Sequence, residues 1–445
     1  MSKHTTLPVG AEVPPIDLFL PPTRGSLRQQ EKQRRRLLRL EGKPLVVGLD
    51  LAQTKQAISF SHQGRHLGRK RVDCAPHQLA KVLQPIIDVL HERHGLTGTL
   101  IGMEPASYFW ELAAEGFEAA ALDYVMLHTV SVKREREATR YTPEKIDPRD
   151  ADLACTLVES GKFTETRLPV CAKRAAMNAL AREYMLLRKE SAAELVRLKS
   201  FWGRVLPEFE TVLKKADGVT ALAIGRALLP FSEMTVLTTA AWVERVKAHA
   251  DGRRILAGAA ARLLDHVWAA HANPHRRSGE GIPVRIAQAA DRRRWLEQQK
   301  ASIAAQLLAR YEAFPESVLL DSIPASSRLL NAITLALVGD FGDYDSSRAV
   351  VKLAGSEVNE YGSGEWRGRS RISRRGRSLL RAVAYQQARQ LVDGNEVFRR
   401  RYRELLGRQT KKQAQISIAN AYLRTAHTLV VQGSPWREDA RTRRP

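Results

Sequence analysis

The spacing of apolar residues changes along the chain and divides it into segments. Residues 44–51 (PLVVGLDL) form a compact apolar run rich in β-branched side chains, and KQAISFS and HLGRKRV follow at strand-like spacing. Residues 76–94 predict a helix beginning after Pro76, 98–104 a buried strand, 108–118 a helix and 122–127 a further strand. Strands alternating with helices predict an α/β domain with a mixed sheet over residues 44–165. Beyond it the period becomes helical. Met177, Leu180, Tyr184, Leu187, Ser191, Leu195, Leu198, Trp202 and Val205 recur at steps of three and four, a coiled-coil pattern with a stutter at Leu187, Ser191 and Leu195. Antiparallel packing within the chain and dimerisation both satisfy that pattern. Ala/Leu-rich helices occupy 218–314 with a loop at 273–283, and short helices with Gly and Asp punctuation follow to Gly355. Two more helices are expected at about 376–406 and 411–431, then a basic tail over 433–445. At the other end, the proline-rich residues 1–25 read as a flexible arm and 26–41 as a short basic helix, together a basic N-terminal segment of residues 1–43.

Composition adds a partner class. The 445 residues carry 71 Lys+Arg against 48 Asp+Glu, a net charge of +23. At 44% hydrophobic residues the chain can bury a core, so it is not a disordered basic tail. Such charge favours a polyanion, most commonly nucleic acid. From Gly364 to Pro445 there are 20 Lys+Arg and 6 Asp+Glu, so this last fifth holds more than half of the excess. A second basic block contains Arg34, Arg35 and Arg36. No apolar run reaches the ~20 residues needed to span a bilayer, and neither secretion nor membrane spanning is expected. Cys74, Cys155 and Cys171 lack CxxC spacing, which points to reduced thiols in a cytosolic compartment and away from a structural zinc site. His91 with His94, and His271 with His275, have ligand-like spacing but no further Cys or His nearby, so packing or solvation is their expected role.

The acidic exceptions suggest chemistry. Asp50 ends the first strand and Glu104 the later one, while Asp147 and Asp150 stand three apart in KIDPRDADLA, where Pro148 suits a first helical turn. Each alone reads more often as a turn former or N-cap than as a ligand. Together, carboxylates at adjacent strand ends and on a nearby helix suit two hard divalent cations such as Mg²⁺, able to clamp both oxygens of a phosphodiester displacement. Asp152 lies well around the helix from Asp150 and is left out.

A second group surrounds Ser363, which is flanked by two glycines that allow close backbone approach. Seven arginines follow within 367–381: Arg367, Arg369, Arg371, Arg374, Arg375, Arg377 and Arg381. They suit bidentate phosphate contacts. A serine hydroxyl needs activation to act as a nucleophile, and no His or Lys lies near it in sequence. On residues alone, GSG reads as a turn.

The motifs GLDLA, GMEPASYFWELA and KIDPRDADLACTL resemble the four-carboxylate DEDD motifs of a family of insertion-sequence transposases, the bridge-RNA-guided recombinases. Ala354-Gly355, Ser363-Gly364, Ile372-Ser373-Arg374-Arg375-Gly376 and Leu380-Arg381 match that family's C-terminal pattern in order, and Val338-Gly339-Asp340-Phe341 also fits. The resemblance covers residues 44–206 and 314–432. It implies a ribonuclease-H/RuvC-like mixed-sheet domain (44–165), a helical, coiled-coil region (166–313) and a mainly helical serine transposase domain (314–432). By the same resemblance Asp50, Glu104, Asp147 and Asp150 would hold Mg²⁺, and Ser363 would form a phosphoserine link to DNA, with Ser370 and Ser373 as lesser candidates. A structured guide RNA, donor and target DNA, a dimeric or tetrameric assembly and a nucleoid-associated site in a prokaryotic cytoplasm are implied partners and setting. Ile323-Pro324-Ala325-Ser326-Ser327 departs from the family's Ile-Pro-Gly-Ile-Gly hairpin, which puts a DNA-gripping role of this hairpin in question but not its place in the fold. The alternatives are a metal-dependent Holliday-junction resolvase or nuclease with Ser363 structural, and a domesticated nucleic-acid-binding protein without catalysis.

Overall fold

The β-branched runs of the N-terminal third form strands in the computed structural model, which describes residues 24–42, 45–105, 107–140, 147–164, 172–213, 215–273, 281–359, 362–363, 366–367 and 371–437. The chain divides into two units, residues 1–170 and 171–445. In the first, α1 (Arg24–Leu38) precedes β1 (Leu45–Asp50), β2 (Lys55–His62) and β3 (Arg65–Asp73). Then come α2 (Leu79–His94), β4 (Thr99–Met103), α3 (Phe109–Ala119), β5 (Tyr124–Leu127), α4 (Thr129–Arg140), α5 (Asp147–Glu159) and β6 (Phe163–Thr164). The strands make one mixed sheet in the order β3-β2-β1-β4-β5-β6. β1 pairs antiparallel with β2 and parallel with β4, and β4 pairs parallel with β5.

Strand alternation sorts the side chains between two cores. Leu45, Val47, Leu49, Ile101 and Met103 face α2 and α3. Val46, Leu100, Val125 and Leu127 face Ala154, Cys155, Leu157 and Val158 of α5. Leu45 and Val47 are wholly buried, each contributing about 1.5–3 kcal/mol. The basic helix α1 is fixed to this unit: Gln33 Nε2 donates to the Ser160 carbonyl at 2.8 Å and Arg39 pairs with Asp123 at 2.9 Å. The short basic helix expected at 26–41 is thus present and packed on this unit, with Arg34 and Arg35 left exposed; residues 1–23, read as an arm, lie outside the described residues.

The second unit begins with α6 (Ala172–Val205), a single 34-residue helix. Next are α7 (Phe209–Val212), α8 (Val219–Ala227), α9 (Phe231–Met234), α10 (Thr239–Ala248), α11 (Ala257–Ala272) and α12 (Ile282–Tyr311). α6 and α12 run antiparallel. Met177 and Met185 share a core with Leu307 and Tyr311, the Ser191 hydroxyl donates to Glu297, and Leu198 and Trp202 share another core with Ile286 and Ala289. Packing of the long apolar stripe is therefore satisfied within the chain. Trp202 also stacks on Phe209, with ring centroids 4.2 Å apart.

The C-terminal part contains α13 (Glu316–Asp321), α14 (Arg328–Val338), α15 (Ser347–Leu353), the two-residue strands β7 (Val358–Asn359), β8 (Gly362–Ser363), β9 (Trp366–Arg367) and β10 (Arg371–Ile372), then α16 (Ser378–Gly394), α17 (Glu396–Leu406) and α18 (Lys411–Gln432). α14 is buried along nearly its whole length, and α16 and α18 close over it. Among the described residues no helix is long and apolar enough to cross a membrane.

Candidate functional site

The register of the sheet places the first two carboxylates together. Leu49 pairs with Met103 across parallel strands, so Asp50 ends β1 beside the point where Glu104 follows β4. Asp50 shares its face with Val46 and Gly48, the face covered by α5. The direction of α5 follows from its anchors. Near its C-terminal end Glu159 accepts from Ser61 Oγ at 2.9 Å, while farther back Asp152 accepts from Ser59 Oγ at 2.8 Å. Because Ser61 lies opposite the start of β1, the N-terminal end of α5 points toward the Asp50 end. Asp50, Glu104 and Asp150 thus belong to one edge of the sheet. Asp152, paired with Arg69 and bonded by Ser59, is committed to β2 and β3.

Two glycines let α5 lie this close. A Cβ on Gly48 would stand 2.1 Å from the Ala151 carbonyl oxygen, and one on Gly102 would stand 2.3 Å from Cγ2 of Val158. These glycines occur in GLDLA and LIGMEPAS, each two residues before a carboxylate: Gly48 before Asp50 and Gly102 before Glu104. Glycine at both positions is a requirement of helix-to-sheet distance.

Asp150 is 8% exposed. Its Oδ1 accepts from Arg136 Nε at 3.0 Å and Nη2 at 2.9 Å. Its Oδ2 is buried without a hydrogen-bond partner among the described residues. An adjoining cavity of about 270 Å³ is lined by Glu104, Thr129, Val132, Lys133, Arg136 and Glu137. Arg136 therefore bridges the cavity and Asp150. Oxygen donors with one buried oxygen unsatisfied fit a hard cation. Asp147 is the first residue of α5, and its side chain lies outside the described residues; among those described, no three Asp, Glu, His or Cys side chains gather at ligand spacing.

Arg136 and Lys133 were not singled out from sequence, because α4 (TVSVKREREATR) has almost no apolar periodicity. The available signal was the alternation of cations and anions at helical spacing. Of the histidines, His91 Nε2 lies 2.8 Å from Thr99 Oγ1, a packing contact, and His275 lies outside the described residues.

The serine motif forms a short β excursion. β8 pairs with β9, with Ser363 opposite Trp366, and β7 pairs separately with β10. Residues 364–365 lie outside the described residues, as do the side chains of Ser363, Arg367 and Arg369 and all of Ser370. The base of the excursion is tightly built. Gly355 has φ +63° and Gly376 φ +155°, and a Cβ on Gly376 would meet the Leu353 carbonyl at 2.4 Å and the Gly355 nitrogen at 2.6 Å. Arg374 N donates to the Gly355 carbonyl at 2.9 Å and Ser373 N to that of Glu357 at 2.8 Å. The AG and ISRRG motifs are therefore two sides of one clasp.

The arginines divide accordingly. Arg381 Nη1 donates to the Ala354 carbonyl at 2.8 Å and Arg377 to that of Leu337, so both help hold the clasp. Arg371, Arg374 and Arg375 are exposed. The Ser373 hydroxyl is buried without a partner among the described residues.

The hairpin between α13 and α14 keeps its turn without glycine. Ala325 takes φ +60°, the left-handed conformation in which glycine is usual. Beneath the turn lies a polar network that the sequence did not reveal. Asn331 Nδ2 donates to the Leu320 carbonyl, Asp321 and Ser326 at 2.9–3.1 Å, and its Oδ1 accepts from Tyr422 and Gln387. Tyr311 donates to Asp321 at 2.9 Å. Burial pushes the Tyr422 and Tyr311 hydroxyls well above the ordinary range, with the Asp321 charge adding to the effect, so both act as donors.

Residues 317–403, which include this hairpin, the clasp and Ser363, match the model of the Transposase IS116/IS110/IS902 family. This part of the chain is thus similar to transposases of insertion sequences, and the match supports a transposase or recombinase of mobile DNA. No curated protein matches the chain.

Proposed function

We propose that the protein is a site-specific DNA recombinase of a mobile element that cuts and rejoins strands through Ser363. The family match spanning Ser363 carries this reading. Ser363 Oγ would attack a DNA phosphorus; the bond from phosphorus to the leaving sugar oxygen breaks, that oxygen takes a proton, and the phosphoserine ester preserves the bond energy for rejoining. The exposed Arg371, Arg374 and Arg375 would hold the scissile and flanking phosphates. A mixed sheet with carboxylates at one edge supports a RuvC-like, DEDD reading of the first unit, with Asp50, Glu104, Asp147 and Asp150 holding Mg²⁺. When bound, that cation would stabilise charge developing on phosphate oxygens. Arg136 would hold Asp150 in place when the metal is absent. The charge of +23 supports binding of donor and target DNA and of a structured guide RNA, in a homo-oligomeric complex within a prokaryotic cytoplasm.

Purification from cells and sequencing of bound nucleic acid should return one discrete RNA together with element-end DNA. With that DNA, wild type should yield a protein–DNA adduct resistant to denaturant, and Ser363→Ala should give neither adduct nor strand exchange. Unchanged cleavage by Ser363→Ala would instead establish the metal-dependent resolvase or nuclease. Random bound fragments and no cleavage by wild type would leave a non-catalytic binder.

A further inference from the structure

The helical insertion between α6 and α12 contains a second concavity, about 850 Å³, formed by the end of α10, the loop after it and the first turn of α11. Lys247, Arg253, Arg254 and Arg262 line it, and Leu256 stands 65% exposed beside them. The three arginines' lack of carboxylate partners among the described residues separates them from neighbouring arginines of the same unit. Arg226 pairs with Asp251 and Asp291, Arg293 with Asp217 and Glu297, and Arg294 with Asp251. Each of those is neutralised by a carboxylate. Arg253, Arg254 and Arg262 are exposed and have no carboxylate partner among the described residues, and of the cavity's cations only Lys247 is paired, with Glu244. One guanidinium nitrogen of Arg262 lies 3.7 Å from the position a Cβ on Gly258 would take, which folds its charge back over the first turn of α11 and into the concavity.

Three like charges converging on one hollow repel one another, a cost removed by an anion with several charges. The hollow is far larger than one inorganic phosphate needs, and its mix of arginines with an apolar rim suits a phosphodiester chain with its bases. We infer that this cavity binds the phosphodiester backbone of a nucleic acid, with Arg253, Arg254 and Arg262 each on a phosphate. The inference rests on the recombinase reading only in that both require nucleic acid, and it assigns a binding role to a region that contains neither the carboxylates nor Ser363.

The test uses the full chain and three fluorescent probes: a 20-nucleotide single-stranded RNA, a duplex DNA of the same sequence, and a poly-glutamate peptide. Anisotropy titrations at 50–300 mM KCl give the salt slope for wild type, for the triple Arg→Gln variant at 253, 254 and 262, and for the triple Arg→Lys variant. The Gln variant should bind at least tenfold more weakly at the higher salt. Its slope should fall by about 2 on RNA or about 3 on duplex DNA, from ~0.7 or ~0.9 per lost contact. The probe with the larger change identifies the backbone held. Lys should restore most of the slope, since the charge is kept, and circular dichroism melting should be the same for all three proteins. An unchanged slope on both nucleic acids overturns the cavity assignment while leaving the recombinase reading intact. An effect confined to poly-glutamate also overturns it and makes the site one for acidic peptides. A wild type that binds neither nucleic acid overturns both.

Discussion

Gly48→Ala adds one methyl group at the contact between β1 and α5. The new Cβ would stand 2.1 Å from the Ala151 carbonyl oxygen, 2.8 Å from Cys155 N and 2.9 Å from Cys155 Sγ. Two of these three atoms belong to backbone, so a rotamer change cannot clear them. Restoring an ordinary 3.4 Å contact with the carbonyl requires α5 to lift by about 1.3 Å. That movement opens the packing of Ala154, Cys155 and Val158 on the sheet and carries Asp150 away from the Asp50 edge. Overpacking ordinarily costs about 1–3 kcal/mol, and backbone-to-backbone crowding places this case near 3. A loss of that size accelerates amide exchange about a hundredfold. Hydrogen-exchange mass spectrometry of peptides from β1 and α5 measures it directly, while peptides from α14 and α16 serve as internal references. Gly68→Ala is the control, because its Cβ would meet nothing within 4 Å. On the proposed function, Mg²⁺-dependent DNA processing should fall in the first variant and persist in the second. Exchange rates for Gly48→Ala within twofold of the Gly68→Ala values would refute the close-approach argument.

Arg136→Gln should destabilise the first unit by about 3 kcal/mol, since it leaves the buried Asp150 carboxylate without its cation. Added Mg²⁺ should recover more stability in this variant than in wild type, read as a larger rise in melting temperature. Gly394→Ala places a new Cβ 2.5 Å from the Ala325 Cβ and should cost about 1–3 kcal/mol. Adding Ala325→Gly should return most of that in a double-mutant cycle, because removal of the methyl group also suits the φ of +60° at that position. Burial pushes the Cys155 thiol up to about 11 from an ordinary 9.0. The folded state therefore holds this proton more tightly than the unfolded chain, so stability is lost as pH rises from 9 towards 11, by about 2–3 kcal/mol. Chemical denaturation at pH 8.5 and 11 should show that loss reduced in Cys155→Ala; an equal loss in both proteins contradicts it.

Much of the first unit was legible because its strands are buried on both faces, which gives near-continuous apolar runs such as LVVGLDL and TLIGM. Asp50 and Glu104 stood out as acidic punctuation at the ends of those runs, and parallel pairing then brings equal ends together. Arg136 was hidden for the complementary reason: on a solvated, charged helix no periodicity marks which cation turns inward. Two-residue strands such as those around Ser363 are too short for alternation to register, so GSG read as a turn and the clasp between Gly355 and Gly376 was invisible. Counting arginines near Ser363 likewise could not distinguish Arg377 and Arg381, spent on main-chain carbonyls, from the exposed Arg371, Arg374 and Arg375. The antiparallel α6–α12 pair resolved a choice that spacing alone leaves open, because either partner helix would cover the same stripe.

The core around α14 also has a consequence for biosynthesis. Its walls include Met177, Ala181 and Met185 of α6 as well as Ile418 and Tyr422 of α18, so the segment matched by the family cannot close its own interior. At about 5–20 residues per second, the ribosome delivers the start of α18 roughly 12–48 s after the start of α6. During that interval the N-terminal turns of α6 present methionine and leucine to the surroundings, covered in part once α12 arrives. A nascent chain stalled before residue 411 should therefore recruit holdase chaperones, and arrival of α18 should release them.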